Sequence, residues 1–547
     1  MTARTHLRHK RLFRYACAAL VWLWFTAPRL DSTEASPFTL PEAVDEILES
    51  RTALRSFWGI HIVDLASKQV LYERNSRKLF VPASNQKLLS TALALSRLGP
   101  DHRYTTMLVS EAELDDDGVL HGDLVLLGGG DPNLSARILP YNRRQNFQRD
   151  LLLPLSELAD QAVQSGLRRV EGAIIGDDTR YVRQPYATGW SVDDPKWGYG
   201  APVSALAFND NVVTMLVLPG RAAGRPARVA FKPDVPYFRF LNRTRTMLTR
   251  TVAQRLDLGR QPGSNKLMLW GQISIRSRGR SIEVAVDNPA LFAAMAIRER
   301  LEALGVEISG ETRARHRRPH EVPDLKGGTR REYEPSSGLA MIQSMPLAAN
   351  LPIINKVSQN LHAEMLLREV GYVRRGVGSF EAGLEEMKSF LLEAGIKNWQ
   401  FRLRDASGLS RHNLISPEAT VRLLAHMAGS LHGELYRSTL ALAGEDGTLD
   451  WRFSRGPVRG KIQAKTGTLS GVTALSGYAR TQDERDLAFA IYVNNSSAPN
   501  SYVRRLIDRV AEVIVTTPPM TLANETDPTS TTTAVGNHKP SPETPRR

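Results

Sequence analysis

A serine hydroxyl becomes a useful nucleophile only when a base removes its proton, and a desolvated lysine amine can do so near neutral pH. Ser84 and Lys87 stand three residues apart in Ser84-Asn85-Gln86-Lys87. Leu88, Leu89, Ala92, Leu93 and Leu95 continue with roughly helical apolar spacing. Pro82 places the helix start just before the serine. Ser84 then falls in the first turn, where the partial positive end of the helix favours a developing anion. Lys87 lies on the same face one turn along, within reach of the hydroxyl. Taken alone, the pair reads more readily as an ordinary helix start with a surface lysine.

Two further clusters change that reading. Ser358-Gln359-Asn360 opens a second amphipathic run, with Leu361, Met365, Leu366 and Val370 apolar and His362, Glu364 and Arg368 interleaved. The Ser358 hydroxyl can relay a proton to a leaving amine, and the Asn360 amide can bind both Lys87 and a peptide substrate. Lys465-Thr466-Gly467-Thr468 closes a run over 460–464 that reads as a strand. After a turn at Ser470-Gly471, residues 472–479 and 487–493 read as two more strands of an antiparallel sheet. Gly467 lets the strand backbone approach a bound acyl group closely. The Thr466 and Thr468 hydroxyls can hold a carboxylate, and Lys465 adds positive charge beside it.

The elements between the motifs are many. The 270 residues from 88 to 357 are too many for one modest helical lobe. They carry strand-like runs at 102–109, Leu124–Leu127, 170–175, 211–218 and 266–275, punctuated by turn signals. Gly128-Gly129-Gly130-Asp131-Pro132 lacks the Gly-Lys-Ser/Thr ending of a phosphate loop and reads as a turn shaping the inserted structure.

The chain has 547 residues, 42% hydrophobic and 23% charged, enough for two to four domains. Arg4, Arg8, Lys10, Arg11 and Arg14 precede an apolar stretch at 15–27, short for a membrane span and right for a signal-peptide core. A cut after Ala27 or Ala35 is expected, with Ala35 favoured because Thr33 stands at the −3 position; an uncleaved anchor is the alternative. The one cysteine, Cys17, lies inside this segment without a lipoprotein box, so a mature chain has no disulfide, zinc-thiolate site or thiol chemistry. The formal charge of +14 falls to about +10 for a chain beginning at Ser36. Arg239, Arg243, Arg245, Arg250 and Arg255 form one basic cluster; Arg313, Arg315, Arg317 and Arg318 form another. They read as solvated faces or as a weak attraction to an anionic envelope. No nucleic-acid module accompanies them. From 516 the chain turns Thr/Pro/Ser-rich and reads as a disordered tail.

Ser-x-x-Lys, Ser-x-Asn and Lys-Thr-Gly, in that order, mark enzymes that acylate a serine with a D-alanyl peptide or a penicillin. With the long insertion and several further stretches, they make residues 40–515 resemble the D-alanyl-D-alanine carboxypeptidase/endopeptidases of the low-molecular-mass class C penicillin-binding proteins. Those stretches include Gly130-Asp131-Pro132-Asn133-Leu134-Ser135, Ala201-Pro202-Val203-Ser204-Ala205-Leu206, Asp405-Ala406-Ser407-Gly408-Leu409-Ser410-Arg411 and Ala443-Gly444-Glu445-Asp446-Gly447-Thr448-Leu449.

The resemblance implies an α/β (α+β) fold: a transpeptidase-like domain, an antiparallel sheet with helices, interrupted by a strand-rich insertion of two lobes. The expected division is a signal peptide at 1–35, the domain's first part at 36–100, inserted lobes at 101–330, its second part at 331–515 and a tail at 516–547. It also implies periplasmic hydrolysis of terminal D-Ala-D-Ala bonds and cross-links in peptidoglycan, with β-lactams as covalent inhibitors and no cofactor or metal. Ser84, Lys87, Ser358, Asn360 and Lys465 would be catalytic, with the Ser84 and Thr468 N–H groups as oxyanion hole. Thr466, Gly467, Thr468 and Arg411 would bind substrate, Arg411 through the side-chain carboxylate of a cross-linking residue; a salt-bridged surface turn is its alternative. Ala406 stands where the family usually has glycine, and Ser344-Met345-Pro346-Leu347 lacks a second, common proline. A β-lactamase, or a non-catalytic binder of wall peptides, are the other readings. A Ser-His-Asp hydrolase lacks its Gly-x-Ser-x-Gly elbow, and His362 and His412 read as an exposed helix residue and a loop residue.

Overall fold

Alternation of side chains along three adjacent strands organises the body of the protein. On Asp486–Asn494, the residues Leu487, Phe489, Ile491 and Val493 enter one core, while Ala488, Ala490 and Tyr492 enter another. Ala474 and Tyr478 against Leu475 and Ala479 repeat the pattern on Val472–Arg480. Period-two apolar residues on both faces demand a sheet covered on both sides. The computed structural model, which describes residues 39–144, 147–248, 255–329 and 337–517, shows that sheet.

It has six antiparallel strands, in the order Ala441–Leu442, Ile462–Leu469, Val472–Arg480, Asp486–Asn494, Phe57–Asp64 and Val70–Arg74. Both ends of the described chain contribute to it, so the domain is discontinuous. Helices Leu40–Leu48 and Asn500–Thr516 pack on one face, giving Val44, Ile47, Leu506, Ile507 and Val510 to that core. On the other face lie Gln86–Leu98, Asn360–Arg375, Phe380–Glu393 and Pro417–Ala428. Local chemistry starts them: Ser379 and Ser416 accept the N–H groups of Ala382 and Ala419 as N-caps, and Pro417 takes the first helical position. Gln86–Leu98 is the central helix, with every residue from Gln86 to Leu95 buried. Each buried leucine there contributes roughly 1.5–3 kcal/mol relative to exposure.

Helix Asn360–Arg375 differs from the amphipathic run expected of it. His362, Glu364, Arg368 and Glu369 are buried as fully as the leucines between them. The helix is wedged between the central helix and the insertion, so both of its faces are covered and its charges must find partners inside.

The insertion forms a five-stranded mixed sheet, in the order Thr312–Arg317, Ile174–Val182, Leu124–Leu127, Thr105–Ser110 and Ser337–Gln343, packed on helices Leu153–Gln164 and Pro289–Ala303. A second lobe lays the sheet of Val212–Leu218, Arg228–Lys232 and Arg280–Ala285 against that of Arg239–Met247, Leu256–Arg260 and Lys266–Ser274 over a small apolar core. Four of the five expected strand runs coincide with strands to within a few residues; 170–175 splits into Arg169–Val170 and the start of Ile174–Val182. Strand Ser337–Gln343 pairs with Thr105–Ser110, so the inserted sheet closes beyond the boundary expected at 330. Helix Asn500–Thr516 likewise runs on to Thr516, where the tail was expected to begin. The signal segment at 1–35, Cys17, Arg250 and residues 518–547 lie outside the described residues. Among those described, no helix is long and apolar enough to cross a membrane.

Candidate active site

The Ser84 turn is built by close backbone contacts from two sides. Ala83 takes a left-handed φ of 48°, and a 3-10 turn at Ala83–Asn85 feeds the helix from Gln86. A Cβ on Gly467 would stand 2.8 Å from the Pro82 carbonyl, and one on Gly408, whose φ is 85°, would stand 1.8 Å from that of Ala83. Glycine at 467 thus serves first to seat the strand against the Ser84 turn, a neighbour the sequence reading did not foresee. Asn85 ties the same elements: in the orientation that satisfies both ends, its amide nitrogen donates to the Lys465 carbonyl at 2.8 Å and its oxygen accepts from Ser476 Oγ at 2.7 Å. The left-handed position in the 405–408 stretch is Gly408, so alanine fits at 406.

Lys87 Nζ donates at 3.1 Å to Ser84 Oγ, at 2.6 Å to Asn360 Oδ1 and at 2.7 Å to the Ser407 carbonyl. Burial disfavours its charge and the carboxylates of Asp405 and Glu364 oppose that, leaving the amine down at about 7. Glu364, itself pushed up to about 7 by burial and by Asp405, accepts the Ala406 and Ser407 N–H groups at 3.0 and 2.9 Å. Asp405 accepts Gly408 N–H at 2.8 Å and Ser410 N–H at 2.6 Å, fixing the loop that presents the Ser407 carbonyl.

Opposite stands the second lysine. Lys465 Nζ donates to Ser358 Oγ at 2.9 Å and to the Thr466 carbonyl at 3.0 Å. Burial, aided by the charge of Lys87, pushes it well below the ordinary lysine value. Ser358 adopts a left-handed φ of 68° where the turn at Ile353–Val357 ends, which brings its hydroxyl back over the lysine. Asn360 Nδ2 donates at 2.8 Å to the Tyr199 carbonyl from the insertion, and Thr466 Oγ1 pairs with Thr448 Oγ1 at 2.9 Å.

A cleft of about 500 Å³ opens onto this group, lined by Ser84, Ser358, Asn360, Tyr199, Arg411 and Thr468 among others. Arg411 is exposed at its rim and donates to the Ser470 carbonyl at 3.0 Å, with no ion pair among the described residues. Of the nine residues proposed from the sequence, Ser84, Ser358, Asn360, Thr468 and Arg411 line this cleft; Lys87 bonds Ser84 and Asn360, Lys465 bonds Ser358, and Thr466 and Gly467 stand between Lys465 and Thr468 on the strand. The turn carrying Ser84, a lysine poised to take its proton and a second lysine behind Ser358 form an arrangement that can transfer an acyl group through serine.

That geometry agrees with what the chain is similar to. The model of the D-Ala-D-Ala carboxypeptidase 3 (S13) family matches residues 40–513. The chain belongs to this family. Consistent with that membership, it is 32% identical over 480 residues to the D-alanyl-D-alanine carboxypeptidase of Actinomadura sp. (strain R39), covering 86% of this chain and 83% of that one. It is 25% identical over 474 residues to the D-alanyl-D-alanine carboxypeptidase DacB of Haemophilus influenzae, covering 82% and 91%. The crystal structure of penicillin binding protein 4 (dacB) from Haemophilus influenzae superposes with a TM-score of 0.72 at 23% identity, over 86% of this chain and 98% of that one. This S13 protein is thus an enzyme of the D-Ala-D-Ala carboxypeptidase kind, with the transpeptidase-like fold and its insertion.

Several site residues of this S13 chain escaped the sequence reading. His362, expected on an exposed face, is buried with Nδ1 2.9 Å from Asn350 Oδ1 and Nε2 3.0 Å from Asp210 Oδ1. Asp210 also accepts from Gln359 at 2.9 Å and pairs with Arg137, so the insertion grips the middle of Ser-x-Asn. Tyr199, Asp210 and Glu364 left no local signal. Ser407 and Thr448 lie in stretches that carried the resemblance, which was the signal available for them. Among the described residues, no group of three or more His, Cys, Asp or Glu side chains is placed to hold a metal.

Proposed function

We propose that the cleft hydrolyses the terminal D-Ala-D-Ala bond of peptidoglycan stem peptides through an acyl-Ser84 intermediate, and opens D-alanyl cross-links by the same chemistry. The observation that carries this is Lys87 Nζ at 3.1 Å from Ser84 Oγ with its amine near neutrality. Lys87 takes the Oγ proton as Oγ bonds to the carbonyl carbon of the penultimate D-Ala. The N–H groups of Ser84 and Thr468 meet the charge forming on the carbonyl oxygen. The C–N bond then breaks as the leaving amine takes the Ser358 proton; Ser358, which Lys465 holds at 2.9 Å, recovers it from protonated Lys87, which is left neutral again. Water, deprotonated by Lys87, releases the acyl group and regenerates the serine.

The leaving residue's carboxylate is held by Thr466, Thr468 and Lys465, and it supplies the counter-charge that buried Lys465 lacks. Arg411, with no ion pair among the described residues, receives the side-chain carboxylate of a cross-linking residue. A β-lactam acylates the same oxygen. The enzyme works in the periplasm after export, with residues 1–35 removed.

Intact-protein mass after incubation with benzylpenicillin, beside a Ser84→Ala variant, tests the reading. A stoichiometric adduct on the native protein and none on the variant is expected. An adduct on Ser84→Ala would move the nucleophile elsewhere. A folded native protein that neither forms an adduct nor consumes penicillin, and releases no D-alanine from stem peptides, would leave a wall-peptide binder.

A further inference from the structure

The outer sheet of the second lobe turns one face to its core and exposes part of the other, Leu241 and Trp270 included. On Arg239–Met247 the inward row runs Phe240, Asn242, Thr244, Thr246, and the outward row Arg239, Leu241, Arg243, Arg245. Parallel register sets Arg239 beside Lys266, Leu241 beside Met268 and Arg243 beside Trp270. Leu241 is 47% and Trp270 37% exposed. The carboxylate on this face, Asp257 opposite Trp270, is already engaged by Arg255 at 3.2 Å. Arg239, Arg243, Arg245 and Lys266 make no ion pair among the described residues. In the other arginine cluster two of the four have carboxylate partners: Arg313 reaches Asp123 at 2.7 Å and Arg315 reaches Asp177 at 3.4 Å.

We propose that this face docks on an anionic phospholipid surface, with Leu241, Met268 and Trp270 at headgroup level and the four cations against lipid phosphates. Charge complementarity selects an anionic partner and makes a second copy of this chain, equally cationic, a poor occupant. The apolar row selects a bilayer over a soluble polyanion, which would match the charges and leave those side chains in water. Tryptophan, with an apolar body and a polar N–H, suits that depth. Each cation near such a surface raises partitioning roughly fivefold.

The test is co-sedimentation of the full chain with phosphatidylglycerol-containing and with pure phosphatidylcholine vesicles, scored as the ratio of the two partition coefficients. Arg239→Gln/Arg243→Gln/Arg245→Gln together should lower that ratio by about 100-fold, and the matching triple lysine variant should keep it. Both should retain native carboxypeptidase turnover of a soluble peptide, which reports the fold. Leu241→Ala with Trp270→Ala should weaken binding to the anionic vesicles by about tenfold. An unchanged ratio in the glutamine triple overturns the proposal. So does native vesicle binding by the Leu241/Trp270 double variant, which would reduce the face to a polyanion site.

Discussion

Helix Asn360–Arg375 carries two buried glutamates five residues apart, and they face different regions of the molecule with opposite results. Glu369 meets the insertion: Arg180 donates to it twice, at 3.0 and 2.6 Å, Tyr181 donates at 2.9 Å, and His102 lies at 3.1 Å. The guanidinium and these hydrogen bonds outweigh burial and hold its carboxyl down at about 2. Glu364 meets the cleft, where Asp405 is close and its Oε2 has no hydrogen bond, with Arg368 only at 3.5 Å. Burial and that second carboxylate bring it up to about 7, beside a lysine brought down to about 7. The lobe interface therefore compensates its charge completely and fixes it, while the cleft compensates its charges partly and leaves them near neutrality, where protons can move.

The largest effect that would sharpen this contrast comes from Lys87→Arg. Arginine keeps the positive charge but cannot release its proton at working pH, so kcat/KM on a D-Ala-D-Ala peptide should fall roughly 10³–10⁴-fold. Retention of near-native turnover would mean that the charge of Lys87, and not its basicity, is what the reaction uses.

On the other side of the helix, Glu369→Gln should leave the Arg180 charge uncompensated at the buried interface and cost roughly 3–5 kcal/mol of stability in denaturant unfolding. Its carboxyl is depressed from 4.5 to about 2, so its contribution is present above about pH 4.5 and is lost as pH falls toward 2. The native protein should lose stability through that window and the glutamine variant should not show this share of the loss. Equal acid sensitivity in both would break the comparison.

The smallest effect is on the pH profile. The acylation rate should rise with pH through about 7 as Lys87 deprotonates. Glu364→Gln keeps the acceptor for the Ala406 and Ser407 N–H groups but removes a charge that favours protonated Lys87. The acidic limb should move to lower pH by up to about one unit. A limb that stays put would show that Glu364 acts on the loop and not on the lysine.

Much of the site is legible in the sequence, because its motifs carry local structure with them. Pro82 and the leucines after Lys87 announce a helix start; the alternation around Lys465 announces a strand. What remained hidden depends on distant neighbours. His362 and Glu364 look like the polar stripe of an amphipathic helix, since periodicity cannot show that a 270-residue insertion will cover the polar side as well. Gly467 announced a close approach to a bound acyl group, while its neighbour in the fold is the Pro82 turn, which lies far away in the chain.

By itself, then, the sequence determined which side chains could do the chemistry, in what order they occur and in which element each sits, since these follow from residue type and short-range spacing. The tertiary structure decided their state. The partners of Lys87 at Asn360 and Ser407 are 273 and 320 residues distant. Desolvation and neighbouring charge, the two influences that bring its amine to neutrality, exist only once those segments have closed around it.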